Sequence, residues 1–430
     1  MRAHFVSFGA AFVSFVVLAH TADAAPPSMQ VGAGLALVER QKLTSEDGAT
    51  DDQFGWAIAV SGNTALVAAP NATIGDNAGQ GAVYVFTRDS GQWQQTAKLI
   101  ADDGREADSF GISVALAGST AIIGAPNIDT FRGAAYVFRF SNGTWTQDQK
   151  LQASDGTEFN QFGWSVALSG TAALIGSTSA TVGSNSSQGA VYAFDESGNT
   201  WSETQKFSSD DGATGDAFGW SVALDGNNAV IGANFANVGG NEFQGAAYAF
   251  ARRGNTWEQT QKLTADNGDD FDFFGGAIAL EDGEALIGAE GAATDGNPFS
   301  NQGVVYRFSR STVAWNPTQM LAASDGEASD GFGHSVALRH GMALIGATGV
   351  TVDDVSTAGA AYVFRTIGGD FVERDKLMAS DPVEFGSYGW SVAMPGKSFL
   401  VGAYTTTAAS HERQGAVYVH GPAPGEALEP

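Results

Sequence analysis

The sequence contains no cysteine and few histidines, and both absences restrict its chemistry. Without cysteine, a disulfide, a thiol nucleophile and a thiol-linked lipid anchor are excluded. Six histidines occur in 430 residues, and neither a His-x-x-x-His pair nor a Glu-flanked zinc motif is present. The repeated serines, such as Ser165 and Ser221, have no evident base partner. The sequence therefore predicts no catalytic residue and no enzyme.

Positive charge is also scarce. Lysine and arginine number 21 against 47 aspartates and glutamates, which gives a net charge of −26. A chain of this charge is repelled by nucleic acid and by anionic membrane surfaces. The expected partners are therefore a glycan, a protein surface of basic character or a cation, and no nucleic acid.

Long apolar runs are missing except near the start of the chain. Arg2 precedes a mostly apolar stretch at residues 5–19, and Ala22-Asp23-Ala24 has the small residues of a cleavage site. This run is shorter than the ~20 residues that a membrane-spanning helix needs. We therefore expect residues 1–24 to be a signal peptide, and the mature protein to be periplasmic, extracellular or on the cell surface without a membrane span.

A repeat dominates the rest of the sequence. The pair Phe-Gly, or Tyr-Gly in the last copy, recurs at intervals of 52 to 58 residues. The aromatic residues of the seven pairs are Phe54, Phe110, Phe162, Phe218, Phe274, Phe332 and Tyr388. Seven copies with matching internal spacing predict one repeat architecture in place of several unrelated domains.

Each repeat has the pattern of four short strands. Apolar and small residues alternate at Trp164–Leu168, and a turn and a second apolar run such as 121–126 follow. A third strand has the regular form of residues 81–86, and a fourth leads from an aromatic such as Trp93 to Lys98-Leu99. Four-stranded repeats of this kind are typical of propeller blades.

The two ends of the repeat array complement each other. The last repeat stops after its third strand, at 415–420, whereas Leu35–Leu43 has the fourth-strand pattern ahead of the first repeat. Pairing these segments completes the seventh blade and leaves no exposed sheet edge. The prediction is an all-β, seven-bladed propeller over residues 35–420, preceded by a short lead at 25–34 and followed by a tail at 421–430.

The motifs resemble the FG-GAP repeat of integrin α subunits and of many bacterial exported proteins. The resemblance rests on the Phe-Gly pairs, on Gly124-Ala125-Pro126 and on the third strands. It implies a seven-bladed propeller and, by analogy alone, adhesion. The integrin calcium loops have the form Asp-x-Asp-x-Asp-Gly between the first and second strands. Tight turns such as Asp225-Gly226 stand there instead, so that calcium site does not carry over.

Acidic residues precede each Phe-Gly pair and allow two interpretations. Asp-Gly sequences favour turns whose carboxylates accept backbone N–H groups. Several oxygen ligands in one loop are also what calcium requires. The strongest candidates for a calcium site are Asp266, Asp269, Asp270 and Asp272. No other cofactor is expected.

Strand parity places two sets of loops on one face of the propeller. The loops joining strands 2 and 3 and those joining strand 4 to the next strand 1 share this face, which we expect to bind the ligand. The Phe-Gly pair is followed in four repeats by Trp56, Trp164, Trp220 and Trp390. These tryptophans either pack between blades or stack on a ligand near the channel mouth. The other repeats interrupt the aromatic series with Ile112, Gly276 and His334.

Three functions are compatible with these features. The first is an exported, non-catalytic binding or adhesion propeller that recognises a glycan or a protein through its loops. The second is a polysaccharide-active lyase or hydrolase that uses rim carboxylates. The third is a structural cell-surface protein stabilised by calcium. The sequence does not identify the ligand or the oligomeric state.

Overall fold

A computed structural model describes residues 37–294, 300–312, 314–408 and 410–423. The predicted signal peptide and the lead at 25–34 lie outside the described residues, as does most of the predicted tail. The repeats themselves are described almost completely.

The described residues form seven four-stranded antiparallel sheets, one for each repeat. We call the strands of a blade inner, second, third and outer, in the order in which they pair. In chain order the strands are Ile58–Ser61, Thr64–Ala69, Ala82–Asp89 and Gln92–Leu99 in blade 1; Ser113–Ala117, Thr120–Ala125, Ala134–Ser141 and Thr144–Leu151 in blade 2; Phe162–Ser169, Ala172–Ser177, Ala190–Ser197 and Thr200–Phe207 in blade 3; Val222–Asp225, Asn228–Ala233, Ala246–Arg253 and Thr256–Leu263 in blade 4; Ile278–Glu281, Glu284–Ala289, Val304–Arg310 and Trp315–Leu321 in blade 5; Phe332–Arg339, Met342–Ala347, Ala360–Ile367 and Asp370–Leu377 in blade 6; and Ser391–Ala393, Phe399–Ala403, Ala416–Pro422 and Leu37–Leu43 in blade 7. The predicted all-β propeller is confirmed.

The seventh blade is completed by the N-terminal strand, as predicted. Leu37–Leu43 pairs antiparallel with Ala416–Pro422, with Leu43 opposite Val417. The inner strand of blade 7 also contacts the inner strand of blade 1, which closes the ring. Closure gives every blade two neighbours and leaves no blade at an open end.

Each Phe-Gly pair joins two blades. In the third repeat, the Phe162 ring is fully buried and contacts Tyr192 and Phe194 of its own blade at centroid distances of 5.4 and 6.0 Å. Its backbone forms a parallel bridge with Gly133, which immediately precedes the third strand of the preceding blade. The side chain therefore belongs to one core while the backbone is hydrogen-bonded to the next.

The glycine that immediately precedes each third strand permits this approach. Gly189 has φ of +85°, and a Cβ placed on it would lie 2.1 Å from the carbonyl oxygen of Phe218. No other residue type fits here, because both the left-handed backbone and the space require glycine.

The outer strands of neighbouring blades are linked by glutamine side chains. Gln149 Nε2 donates to the Trp201 carbonyl at 2.7 Å, and the Trp201 N–H donates to Gln149 Oε1 at 2.9 Å. The same pair of bonds joins Gln41 to Trp93, Gln205 to Trp257, Gln261 to Trp315 and Gln319 to Phe371. These glutamines therefore hold the outer edges of five blade junctions.

Helix is nearly absent from the described residues. The one helical segment is the single turn Ile128–Phe131. Within the described ranges, no helix has the length and apolar character to cross a membrane.

The close approach of glycine and phenylalanine leads to a stability prediction. Gly189→Ala should lower the free energy of unfolding by about 3 kcal/mol, because left-handed alanine and overpacking both oppose folding. Gly198→Ala is the matched control, since Gly198 also has a positive φ but no atom lies within 4 Å of the position that its Cβ would take. It should cost only about 1 kcal/mol. Urea unfolding of both variants measures the difference, and equal losses would contradict the steric explanation.

Candidate functional site

The residue after each Phe-Gly pair lies beside the propeller axis, where the inner strand begins. All seven of these positions line a single cavity of about 300 Å³, together with Glu290 and Gly333. We call this cavity the tryptophan cup. Its seven equivalent positions are Trp56, Ile112, Trp164, Trp220, Gly276, His334 and Trp390.

The loops predicted to share one face do lie together around the cup. The Asp51 N–H donates to Glu412 O at 2.9 Å, and the Phe159 N–H donates to Thr130 O at 3.0 Å. Each bond joins a turn before a Phe-Gly pair to the preceding blade's loop between its second and third strands. We call this side of the propeller the loop face, and the cup opens at its centre because the Phe-Gly pairs end these turns.

Aromatic rings form two walls of the cup. On one side, Trp56 and Trp390 lie 4.8 Å apart between ring centroids, and Tyr404 contacts them at 5.0 and 4.4 Å. On the other side, Trp164 and Trp220 lie 4.9 Å apart. The tryptophans of adjacent blades therefore pack against each other and also remain half-buried at the cavity. Both interpretations of these residues are compatible with this geometry.

A hydrogen-bonded pair, His334 with Glu290, supplies the polar part of the cup. His334 Nδ1 lies 2.6 Å from Glu290 Oε2, and the His334 ring packs against Trp390 at 4.4 Å. Burial raises the pKa of Glu290, but the charge and the hydrogen bond of His334 outweigh it, so this pKa lies below its usual value. The carboxylate therefore stays ionised, and one of its oxygens already has a hydrogen-bonding partner from the next blade.

Sequence reasoning did not select Glu290 or Tyr404 as site residues. Both occupy the third position of the Gly-Ala-Pro-like tripeptide, where the first two repeats have Pro70 and Pro126. The sequence signal for these two residues was the replacement of a proline, found in other repeats, by a carboxylate or an aromatic ring. This position matters because the second strand ends beside the propeller axis, and only the folded ring reveals that.

The aspartate that recurs seven residues before the Phe-Gly pair is held by a tyrosine and a lysine of the same blade. Asp155 accepts hydrogen bonds from the Tyr192 hydroxyl at 2.7 Å and from Lys206 Nζ at 2.6 Å. Burial raises the pKa of Asp155, but these two partners lower it by more, so that this pKa lies below its usual value. The same contacts hold Asp47, Asp103, Asp325 and Asp381. These acids therefore fix the turn onto the third and outer strands.

The fifth repeat replaces this ionic arrangement with neutral groups. Asn267 stands in place of the aspartate and accepts from the Tyr306 hydroxyl at 3.0 Å. Met320 stands in place of the lysine, with its sulfur 4.0 Å from Asn267 Nδ2. The exchange of both charged partners keeps the tyrosine hydrogen bond without leaving a charge unpaired.

The calcium candidates lie in this same turn of the fifth repeat. Asp272 Oδ2 accepts the Asp269 N–H at 2.8 Å, and Asp270 Oδ1 accepts the Glu242 N–H at 2.7 Å. Asp266 and Asp269 are exposed. Among the residues described, no group of three or more acidic or histidine side chains converges closely enough to hold a metal. Calcium binding by Asp266, Asp269, Asp270 and Asp272 stays a prediction.

The fold and the cup together define a class: a seven-bladed propeller of four-stranded blades with a ligand-sized cavity on its axis. A family model described as the FG-GAP repeat matches seven segments, residues 37–86, 93–138, 145–194, 201–250, 257–308, 315–364 and 371–420. The chain belongs to this family, whose propellers are generally non-enzymatic. Each segment begins in the outer strand of one blade and ends in the third strand of the next. No curated protein sequence matches the chain significantly.

Asp272 should make stability depend on pH. Burial is the main reason that its pKa rises to about 6, and the charges of Asp269 and Asp270 add to the effect. Between about pH 4 and 6 the unfolded chain loses this proton while the folded protein keeps it, so this carboxyl destabilises the fold increasingly as pH rises. Asp272→Asn should therefore increase stability above pH 6 by on the order of 1 kcal/mol and have little effect near pH 4.

The third repeat indicates that an amide is tolerated at this position. Asn160 occupies the corresponding place and accepts from the Thr157 hydroxyl at 2.9 Å. The measurement is the difference in unfolding midpoint between wild type and Asp272→Asn across this pH range. Parallel curves would show that the Asp272 carboxyl does not titrate with a raised pKa.

The calcium hypothesis has its own test. If the turn binds calcium, the thermal midpoint of the protein will be several degrees higher with calcium than with chelator, because a ligand of the native state stabilises it. Asp269→Asn should then remove the shift. Asp102→Asn, at the position of Asp266 in the second repeat, is the control. Coincident melting curves would favour the shaped-turn interpretation.

Proposed function

We propose that this protein is an exported, non-catalytic binding propeller that holds the end of a neutral glycan in the tryptophan cup. The observation that carries the proposal is the meeting of four tryptophans and the hydrogen-bonded pair of His334 and Glu290 in a cavity of about 300 Å³. Ligand sites are commonly concave, mostly apolar and supplied with a few polar groups that fix orientation. The cup has this composition.

The chemistry of the walls favours an amphipathic ligand. A pyranose ring presents C–H groups on its faces and hydroxyls around its edge. The faces match the aromatic walls, Trp56 with Trp390 and Trp164 with Trp220, and the hydroxyls match the polar groups of His334 and Glu290. A purely apolar ligand would cover these two polar side chains without offering them a hydrogen-bond partner.

The contact between His334 and Glu290 also argues against a cationic ligand. Glu290 is the one carboxylate that lines the cup among the described residues, and His334 lies 2.6 Å from it. His334 already occupies Glu290 Oε2, which weakens the site that this carboxylate could offer a cation. A neutral ligand can accept hydrogen bonds from the imidazole and donate to the carboxylate without disturbing the pair.

A polysaccharide-cleaving enzyme is less well supported. Glycoside hydrolysis generally uses two carboxyl groups roughly 5 to 9.5 Å apart on either side of the scissile bond. The cup has Glu290 but no second carboxylate within the part of the chain that the structure describes. Binding without cleavage is therefore the proposal.

Binding to an array of neutral and acidic glycans tests this function. Wild-type protein should bind neutral glycans, and Trp390→Ala and Trp220→Ala should each weaken binding by about tenfold or more, because each removes one aromatic wall. Trp145→Ala is the control, since Trp145 is also half-buried but lies in the outer strand of blade 2. Absence of glycan binding by wild-type protein would overturn the proposal and leave a protein ligand as the next hypothesis.

A further inference from the structure

The aromatic rings continue beyond the tryptophan cup in one direction. Trp220 meets Phe235 edge-on at 5.2 Å between ring centroids. Phe235 then contacts Phe243 at 5.8 Å and Phe273 at 5.9 Å, and Phe243 contacts Phe271 at 5.7 Å. We call Phe235, Phe243, Phe271 and Phe273 the phenylalanine track. It begins at the cup with Phe235 and leads away from it through the other three rings.

The track lies on the loop face, over the junction of blades 4 and 5. Phe235 and Phe243 belong to the loop between the second and third strands of blade 4, whereas Phe271 and Phe273 belong to the turn that enters blade 5. Backbone hydrogen bonds join the two segments, from Phe271 N–H to Glu242 O at 2.8 Å and from Phe273 N–H to Phe243 O at 3.1 Å. The rings are therefore held on a fixed backbone.

The backbone under the track is unfavourable for large side chains. Phe243, Phe271 and Phe273 have φ values of +52°, +64° and +56°. This left-handed region strongly favours glycine. The corresponding positions in other repeats include Gly79, Gly215 and Gly331, respectively. The fold thus accepts glycine at all three positions, so it does not require phenylalanine here. The contact between Phe235 and Trp220 distinguishes this junction from the others that carry phenylalanine, because it joins the rings to the cup.

Carboxylates border the track, in which Phe243 is exposed and Phe235, Phe271 and Phe273 are partly buried. Phe243 is 38% exposed, and the exposed side chains of Glu242 and Asp269 belong to the same two segments. Apolar ring surface beside oxygen acceptors suits pyranose units, which combine C–H faces with hydroxyl donors. A lipid surface fits less well, because the flanking acids and the net charge of −26 oppose contact with anionic headgroups.

We infer that the ligand is a chain of several neutral pyranose units, whose end occupies the cup and whose following units lie along the phenylalanine track. The inference rests on the proposed function, since it takes the cup as the site of the terminal unit. Ring contacts run without a break from Trp164 to Trp220 and on to Phe235, the first ring of the track. The cup and the track therefore form one binding surface. The track therefore determines preference for chain length, whereas the cup determines whether a saccharide binds at all.

Titration calorimetry with gluco-, cello- and chito-oligosaccharides, from monomer to hexamer, tests this assignment. The variant is Phe243→Ser combined with Phe271→Ser, because serine occupies these positions in other repeats as Ser187 and Ser329. Wild-type affinity should increase with chain length. The double variant should bind the monomer as wild type does and the hexamer about tenfold or more weakly, the loss expected for removed stacking contacts.

The chain provides a matched control. Phe131 and Phe159 stack at 5.9 Å, are 42% and 59% exposed, and have φ values of +61° and +67°. They occupy the equivalent positions at the junction of blades 2 and 3, but no ring contact described for them reaches the cup. Phe131→Ser with Phe159→Ser should leave both monomer and hexamer affinity unchanged.

The outcomes separate the two proposals. If no saccharide binds wild-type protein, both the proposed function and the track assignment are wrong. If saccharides bind but the track variant keeps full hexamer affinity, or loses monomer and hexamer affinity equally, only the track assignment is wrong. Binding of wild-type protein to phosphatidylcholine vesicles that the track variant loses would assign the track to a lipid surface and overturn the inference.

Discussion

The structure depends on the close contact between the glycine at the start of each third strand and the phenylalanine or tyrosine of the next repeat. At Gly189 and Phe218 the two backbones approach so closely that a Cβ on the glycine would lie 2.1 Å from the Phe218 oxygen. The same phenylalanine ring is buried in its own blade, against Tyr248 and Phe250. One residue therefore sets the distance between adjacent blades and anchors a hydrophobic core. Seven such contacts, with the strand Leu37–Leu43 completing blade 7, form a closed ring.

A ring held in this way frees other positions to vary. The residue after each Phe-Gly pair must lie beside the axis, but its side chain faces a cavity, so packing does not dictate its type. This explains how Trp, Ile, Gly and His occupy equivalent positions in the tryptophan cup. Blade 5 differs most, because Gly276 contributes no side chain, Glu290 reaches His334 of blade 6, and Asn267 with Met320 replaces the usual ion pair. The phenylalanine track lies at this same blade, which concentrates the departures from the repeat at one sector of the loop face.

Much of the architecture could be predicted because it depends on short-range pattern. Alternation at Trp164–Leu168 predicts a strand, and the strand Phe162–Ser169 is present. The unpaired fourth-strand pattern ahead of the first repeat predicts the closure of blade 7. The partners of the acidic turns were harder to predict, because Asp155 is held by Tyr192 from the third strand and Lys206 from the outer strand. The calcium interpretation and the turn interpretation use the same residues, and the sequence pattern does not distinguish them.

The amino-acid sequence by itself determined the number of blades, the order of their strands and the way in which the ring closes. These properties follow from repeat spacing, from period-two alternation and from the need to leave no unpaired edge. Only the tertiary structure decided which side chains share a site. Trp56 and Trp390 are 334 positions apart in the chain, yet their rings lie 4.8 Å apart. His334 and Glu290 meet because two blades place the ends of different strands beside one axis. Convergence of this kind depends on the curvature of the whole ring, which no local pattern records.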